Sequence, residues 1–519
     1  MKRNLAALTL TLTIPSLMFA VALPAAAHGP VLGKVNFRIE CNADARREFN
    51  LAMAYYYSFA FPQMQEPLDR VLQADPKCGM VHWLRTLAAL DNPFTWPTTI
   101  SAAILSEGER IMDLARSTGL KSQRERDYVD ALAVYFRDQD KLGHPARAKA
   151  LETAMEQVMR SYPKDTEAAT LYALVLSANF NPADKKYTNQ LKAAKILEPI
   201  YKAQPEHPGA AHYLIHSYDY PPIAAQGLAA ARRYSKIAPD APHALHMPSH
   251  IFTRVGAWKD SIESNRASAR SGGDKSFDKW HAYDYMVYAH LQLGQHDAAR
   301  EIVGEAQRNP ARIDHLGTAY AYAAMPARLA LERGAWKDAA AIELFPAADA
   351  FPWKKYTFAE AVNAYARGLG AGLSGDAAGA RAQLARLQGL GEATKVPYWI
   401  EQIAIQADVV QALVAHAEGG AAQALPLLRK AADREDATEK HVVTPGPLVP
   451  ARELLAYQEL EAGDAKLALA NFESVLQREP NRNRAFAGAA RAAERAGDSR
   501  KAAEYSKRLL ELTASADRR

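Results

Sequence analysis

Three observations predict an all-α fold, a right-handed α-α superhelical solenoid of helix-turn-helix repeats. Helical periodicity dominates, with abundant alanine and few of the alternating β-branched runs that mark half-buried strands. Punctuation recurs at a fixed distance: Pro205 and Pro239 are 34 residues apart, as are Gly463 and Gly497. Glycines also fall beside small residues where two helices would reverse, as in Gly256-Ala257-Trp258 and Gly334-Ala335-Trp336. One such unit cannot bury its apolar face alone, so neighbours must stack to complete the core.

A period of 34 residues is that of the tetratricopeptide repeat. The unit Gly209–Pro239 reads as helix, turn, helix and terminal proline. Pro242–Gly272 follows, with its turn at Gly256, and then Trp280–Pro310, with its turn at Gly294. About nine or ten units are expected on this criterion, several of them degenerate. Segments 94–100 and 439–450 break the rhythm. The second runs Glu439-Lys440-His441-Val442-Val443-Thr444-Pro445-Gly446-Pro447 and is too rich in proline and glycine to be helical. It reads as a loop leaving the stack, or as a boundary between a 28–438 solenoid and a 451–519 repeat pair.

The 519-residue chain opens Met1-Lys2-Arg3, continues apolar from Leu5 to Leu23, and exits through Pro24-Ala25-Ala26-Ala27. Basic head, apolar middle and small-residue exit describe a secretory signal peptide over residues 1–27. The expected location is periplasmic or secreted, with a mature chain beginning at His28. No later stretch is long and apolar enough to span a bilayer, so no membrane insertion is expected after cleavage. The formal net charge is +5, or +3 without Lys2 and Arg3, and basic residues are scattered among acidic ones. That balance gives no reason to expect nucleic acid as a partner. The only cysteines, Cys41 and Cys78, are 37 residues apart, close to one repeat, which would place them before the first helices of adjacent repeats. Export makes a structural disulfide available, worth about 3–4 kcal/mol on the chain-entropy model.

Cys41 with Phe49-Asn50, Asp75-Pro76-Lys77-Cys78 with His82-Trp83, and His207-Pro208-Gly209 recur with His212-Tyr213-Leu214-Ile215-His216 in a recognisable order. Ala238-Pro239-Asp240-Ala241-Pro242-His243 and His246-Met247-Pro248-Ser249-His250-Ile251-Phe252-Thr253-Arg254 complete it. In these residues the chain resembles a family of exported bacterial tetratricopeptide-repeat proteins, over nearly all of the mature chain. That resemblance implies a fold and an export route and no established activity. Generic arrays of this kind bind extended peptides or partner helices along a concave face lined by the first helix of each repeat.

One constellation goes beyond the repeat. His212 and His216 are four residues apart on a predicted helix, as are His246 and His250, so each pair shares a helix face. The pairs are themselves one 34-residue period apart, at equivalent positions of consecutive repeats. Gly256 and Gly294 are 38 apart, and alignment on these turn glycines places Asp284 opposite His246 and Tyr288 opposite His250. Asp219 and His243 border the same region. Arg254, four beyond His250, is expected to pair with Asp284 or Asp219, or to hold an anionic group of a ligand. Imidazoles at this spacing with carboxylates nearby suit zinc, copper or iron. The same residues equally suit an uncharged groove for a ligand or peptide, and repeat duplication alone copies packing histidines.

Other signals are weaker. The terminal amine and imidazole of His28 form a copper-chelating pair only on a rigid scaffold. His82-Trp83 and Phe94-Thr95-Trp96-Pro97 offer aromatic surface for a sugar or peptide, or simple buried packing. Lys440-His441 stands in the irregular loop, where an exposed histidine without a role is the plainer expectation. Position 213 is Tyr213, so HExxH is absent, and no G-x-S-x-G or phosphate-binding glycine loop occurs. The expected function is therefore an exported scaffold binding a peptide, protein segment or small ligand. The alternative is a metal-binding protein or metal-dependent enzyme built on His212, His216, His246 and His250.

Overall fold

The computed structural model describes residues 29–96, 100–138 and 141–517. The expected signal peptide and His28 lie outside them. The described residues form α-helices and short 3-10 turns, with no strand among them. Helix pairs run in sequence from Ala43–Tyr57 with Gln65–Ala74 to Asn483–Arg495 with Ser499–Leu512. Counting the broken helix at Met247 as one, there are twelve pairs among the described residues. The nine or ten expected fall short because early units lack the glycine signature.

Local chemistry sets the boundaries. Asn42, Ser101 and Asp165 accept backbone N–H groups at helix starts, and Ser122 with Glu125 closes a capping box. The turn glycines have positive φ, 68° at Gly256 and 71° at Gly294, where a side chain would be strained. At Gly256 a Cβ would also collide with the carbonyl of Pro480. Pro248 divides the first helix of its repeat into Pro242–His246 and Pro248–Arg254, because it has no N–H to give the preceding turn.

Cys41 and Cys78 are disulfide-bonded, each just before the first helix of its repeat (Ala43–Tyr57 and Met80–Ala89). Other contacts depart from a simple array in which each repeat touches only its neighbours. Trp258 Nε1 donates to the carbonyl of Asn481 at 2.9 Å, and Gln295 Nε2 donates to that of Ser515 at 3.1 Å. The last repeats thus return to the turns of the middle ones. At the other end, the Val31 N–H donates to Asp240 and the Lys34 N–H to the Glu206 carbonyl.

The irregular 439–450 segment does not lead outward. It packs into the interior of the superhelix and is anchored there by buried charge. Arg328, fully buried, donates to Asp284 at 2.7 Å, to Thr444 Oγ1 at 2.9 Å and to the carbonyls of Gly446 and Pro447. Tyr285 donates to the Thr444 carbonyl, and Lys185 pairs with Glu439. No described helix is long and apolar enough to cross a membrane.

This anchoring predicts a specific stability pattern. Arg328→Met should leave Asp284 buried and unpaired and lower unfolding free energy by about 3–5 kcal/mol in urea titration. Adding Asp284→Leu should recover most of the loss. If the single substitution costs under about 1 kcal/mol, the loop is held by other means.

Candidate metal centre

The histidine pairs converge, and each pair gains a third member. His212 and His216, on Pro208–Tyr218, meet His243 from the start of the next repeat. His246 and His250, on either side of the Met247 break, meet His281 from Phe277–Gln292. Within each triad one nitrogen from every ring lies within 4.8 Å of the other two. The triads adjoin, with ring centroids of His216 and His250 5.8 Å apart and those of His243 and His246 6.1 Å apart. All six residues are buried, the most exposed being His243 at 8 %.

Hydrogen bonding identifies which nitrogens face inward. His212 Nδ1 donates to the Tyr57 carbonyl at 2.6 Å. His250 Nδ1 donates to Asp219 at 2.8 Å. His246 Nδ1 lies 2.6 Å from Asn265 Oδ1, while the Asn265 amide nitrogen donates to the Ser261 carbonyl at 2.7 Å. With the amide group so oriented, Asn265 Oδ1 accepts and His246 Nδ1 carries the proton. Three different acceptors thus leave three Nε2 atoms with lone pairs directed into the cluster. His212 Nε2 and His216 Nε2 are buried with no hydrogen-bond partner, as are both nitrogens of His243 and Nδ1 of His281. A buried polar atom left in this way costs about 1–3 kcal/mol unless something engages it.

The closest approach is the most telling. His246 Nε2 and His250 Nε2 are 3.1 Å apart, and by the assignment above both are lone pairs. An imidazolium at either would convert the contact into a hydrogen bond, but burial disfavours charging. It pushes the pKa of His246 well below its usual value, and that of His250 down to about 4 despite the opposing pull of Asp219. Burial likewise holds His212, His216 and His281 well below the usual range. These five are therefore neutral imidazoles, the form that binds metal. Two nitrogens each 2.0–2.1 Å from a tetrahedral ion would be roughly 3.3–3.4 Å apart, close to the separation found.

Asp219 connects this cluster to the rest of the fold. It accepts from His250, from Lys440 Nζ at 2.9 Å and from Arg254 Nε at 2.9 Å. Burial alone would raise its pKa, but Lys440, Arg254 and His250 hold it well below the carboxylate range. Burial lowers Lys440 to about 8, against the pull of Asp219. Arg254 is thus a structural partner of Asp219.

Asp284 and Tyr288 are elsewhere. Asp284 pairs with Arg328, and the Tyr288 hydroxyl lies 3.3 Å from both Glu479 and Arg482, all in the anchorage of the C-terminal segments. Opposite His246 and His250 stand His281 and Tyr285, with ring centroids 4.3 Å from His246 and 5.3 Å from His250 respectively. Alignment on the turn glycine misplaces the register because the additional helical residues of Phe277–Gln292 come after the site, not before it. A plain offset of 35 from His246 and His250 reaches His281 and Tyr285.

Phe94, from the first rhythm-breaking segment, stacks on His216 with centroids 3.9 Å apart, and Phe59 meets His212 edge-on at 4.5 Å. Trp83 is buried in the core. Lys440 is buried on Asp219, and His441 lies between Tyr398 and Trp399 instead of projecting into solvent.

No protein-family model and no curated protein matches the sequence. Among solved structures the chain is similar to yeast Tom70, at 14 % identity and a TM-score of 0.37 over 90 % of this chain and 92 % of that one. It is similar to human IFIT1, from a dimer with m7Gppp-AAAA, at 12 % identity and 0.40 over 92 % and 97 %. A third is the APC/C hetero-tetramer Cut9-Hcn1, at 14 % and 0.36 over 89 % and 79 %. These are loose likenesses of helical architecture, and the histidine site is described by its own geometry.

The neutral histidines predict acid sensitivity in protein stripped of metal. Their folded pKa values lie below the unfolded value near 6.5, so the unfolded chain takes up protons first as pH falls. Stability should be level above about pH 7 and decline below about 6.5, by about 1.4 kcal/mol per pH unit for each histidine held neutral. Asp219, with a depressed pKa, adds a further loss only below about pH 4. Urea midpoints measured from pH 8 to 5 should show the first decline, and His216→Phe should reduce its slope. A flat profile would mean that these rings protonate freely in the folded state.

Proposed function

We propose that this protein is an exported repeat scaffold whose interior holds a pair of transition-metal ions, one at His212, His216 and His243 and the other at His246, His250 and His281. The observation that carries the reading is the approach of two Nε2 lone pairs to 3.1 Å, at His246 and His250, inside a buried cluster of neutral imidazoles. Lone pairs this close repel each other unless a shared cation draws both. The outer nitrogens of His212, His246 and His250 each have an acceptor, the support that metal-ligating histidines require. Export is supported by the leader-like pattern of residues 1–27 and agrees with a disulfide between Cys41 and Cys78.

Donor chemistry favours copper. The six ligands are all imidazole, which suits copper, zinc, iron and nickel and is poorly matched to magnesium, calcium or manganese. Net charge narrows the choice further. Two carboxylates adjoin the cluster: Asp219 is already offset by Lys440 and Arg254, and Asp278, 3.7 Å from His243, supplies a single negative charge for two ions. Monovalent copper held by three neutral nitrogens leaves the least uncompensated charge in a buried site. Zinc carrying hydroxide is the next best match. The helical repeats supply the frame, because each triad needs residues from two consecutive first helices.

Elemental analysis of protein purified from the periplasm, without chelator or affinity-tag metal, tests this directly. About two equivalents of metal are expected, falling to about one in His216→Ala and about one in His281→Ala. Parent protein that contains no metal, and retains none after incubation with Cu(I), Cu(II) or zinc, would sink the reading and leave a solenoid that binds only organic or peptide ligands.

A further inference from the structure

The proposed centre lies at the inner end of a cavity of about 410 Å³. Four of the six histidines line it: His216, His243, His250 and His281. Its walls are apolar, formed chiefly by Phe59, Phe61, Phe277, Leu316 and Val443. Asp91, Asn92 and Thr95 also line it; Asp91 is exposed and the other two are partly so, which puts these polar groups at the mouth. The buried nitrogens, the apolar walls and the wet rim therefore follow one another from inside to outside.

We propose that this cavity receives a small, uncharged aryl alcohol or similar amphipathic molecule, with its ring between the phenylalanines and its hydroxyl oxygen directed at the metal centre. This substrate class rests on the metal-binding reading above. Size supports it: a 150 Å³ cavity accommodates benzene, so the space here suits a molecule of one or two rings. Wall chemistry supports it too, since three phenylalanines offer ring faces and edges for stacked or edge-on contact. The protein's own charges do not favour an anion. Among the described residues no lysine or arginine lines the cavity, and the one carboxylate that does, Asp91, stands at the entrance. A hydroxyl, with lone pairs and no charge, is the group that a buried histidine-bound cation can draw in without a second buried ion.

The wall segments come from distant parts of the chain. Phe59 follows the first helix, Phe277 opens the helix that carries His281, and Val442 and Val443 belong to the inserted loop. The loop thus completes the cavity as well as the charge network. This accounts for its inward course, which the repeat pattern alone does not require.

Ala89 supplies the test. It is an exposed cavity-lining residue at the end of Met80–Ala89, so a large side chain there obstructs the mouth without disturbing core packing. 2-Phenylethanol is titrated by calorimetry into copper-loaded parent, metal-stripped parent and copper-loaded Ala89→Trp, with metal content measured on each sample. Saturable binding is expected in loaded parent, together with a change in the copper X-ray absorption edge. Binding should weaken about tenfold or more in stripped protein. Ala89→Trp should keep its metal and lose binding by about tenfold or more. Fully loaded parent that does not bind the alcohol, or Ala89→Trp that binds it equally well, overturns the assignment while leaving the metal centre intact. Phenylacetate bound more tightly than the alcohol would overturn the uncharged class. Parent that takes up no metal fails the metal reading by itself. In that case binding that Ala89→Trp removes would uphold the cavity, and no binding would overturn it as well.

Discussion

The buried carboxylate of Asp219 is the constraint around which the interior is organised. It is almost wholly withdrawn from water and depends on three donors for solvation: His250 and Arg254 from the next repeat, and Lys440 from a position 221 residues away in sequence. Burying these charges separately would cost several kcal/mol for each ion, so the group is stable only when all of them are assembled. The orientation of His250 is therefore linked to closure of the superhelix. When the loop carrying Lys440 is out of place, Asp219 is under-solvated and His250 loses the environment that aims its Nε2 inward. A binding site in an open repeat array would be indifferent to distant segments, and this one is not.

The outer partners of the histidines differ, and the difference has chemical consequences. His212 is oriented by a backbone carbonyl, His246 by an amide oxygen and His250 by an ionised carboxylate. A carboxylate raises the basicity of the ring it supports more than a neutral acceptor does. The triad containing His250 should therefore donate more strongly than its neighbour, and two ions held here would be inequivalent. The aromatic surroundings differ as well, with Phe94 and Phe59 against the first triad and Tyr285 against the second.

The repeat architecture was legible because stacking enforces a period that glycine and proline report directly. The pairs His212/His216 and His246/His250 were legible for the same reason, since equal spacing on consecutive first helices brings side chains together. His281 was not, because a turn glycine reports where a helix ends and not where along it a neighbour is met. Phe277–Gln292 is longer on the far side of the site, so Asp284 and Tyr288 took the places that His281 and Tyr285 hold. Phe94 and Lys440 were hidden for another reason. Both come from segments without periodicity, whose inward course depends on the shape of the closed superhelix.

Packing alone is a poor explanation of the cluster. Duplicating a repeat can copy a core histidine from His212 to His246 and His281, but His243 occupies a position outside that copied series and still points to the same place. A leucine or phenylalanine at His216 or His281 would fill the volume without burying an unengaged ring nitrogen. The chain instead buries five imidazole nitrogens without hydrogen-bond partners, at His212, His216, His243 and His281, and opposes two further lone pairs at 3.1 Å. At about 1–3 kcal/mol for each unengaged atom, the combined penalty is comparable to the whole stability of a typical domain. Binding free energies of roughly 10–16 kcal/mol for one structural zinc are large enough to offset it. An arrangement so unfavourable in isolation is understandable when ligand binding is part of what holds the interior together.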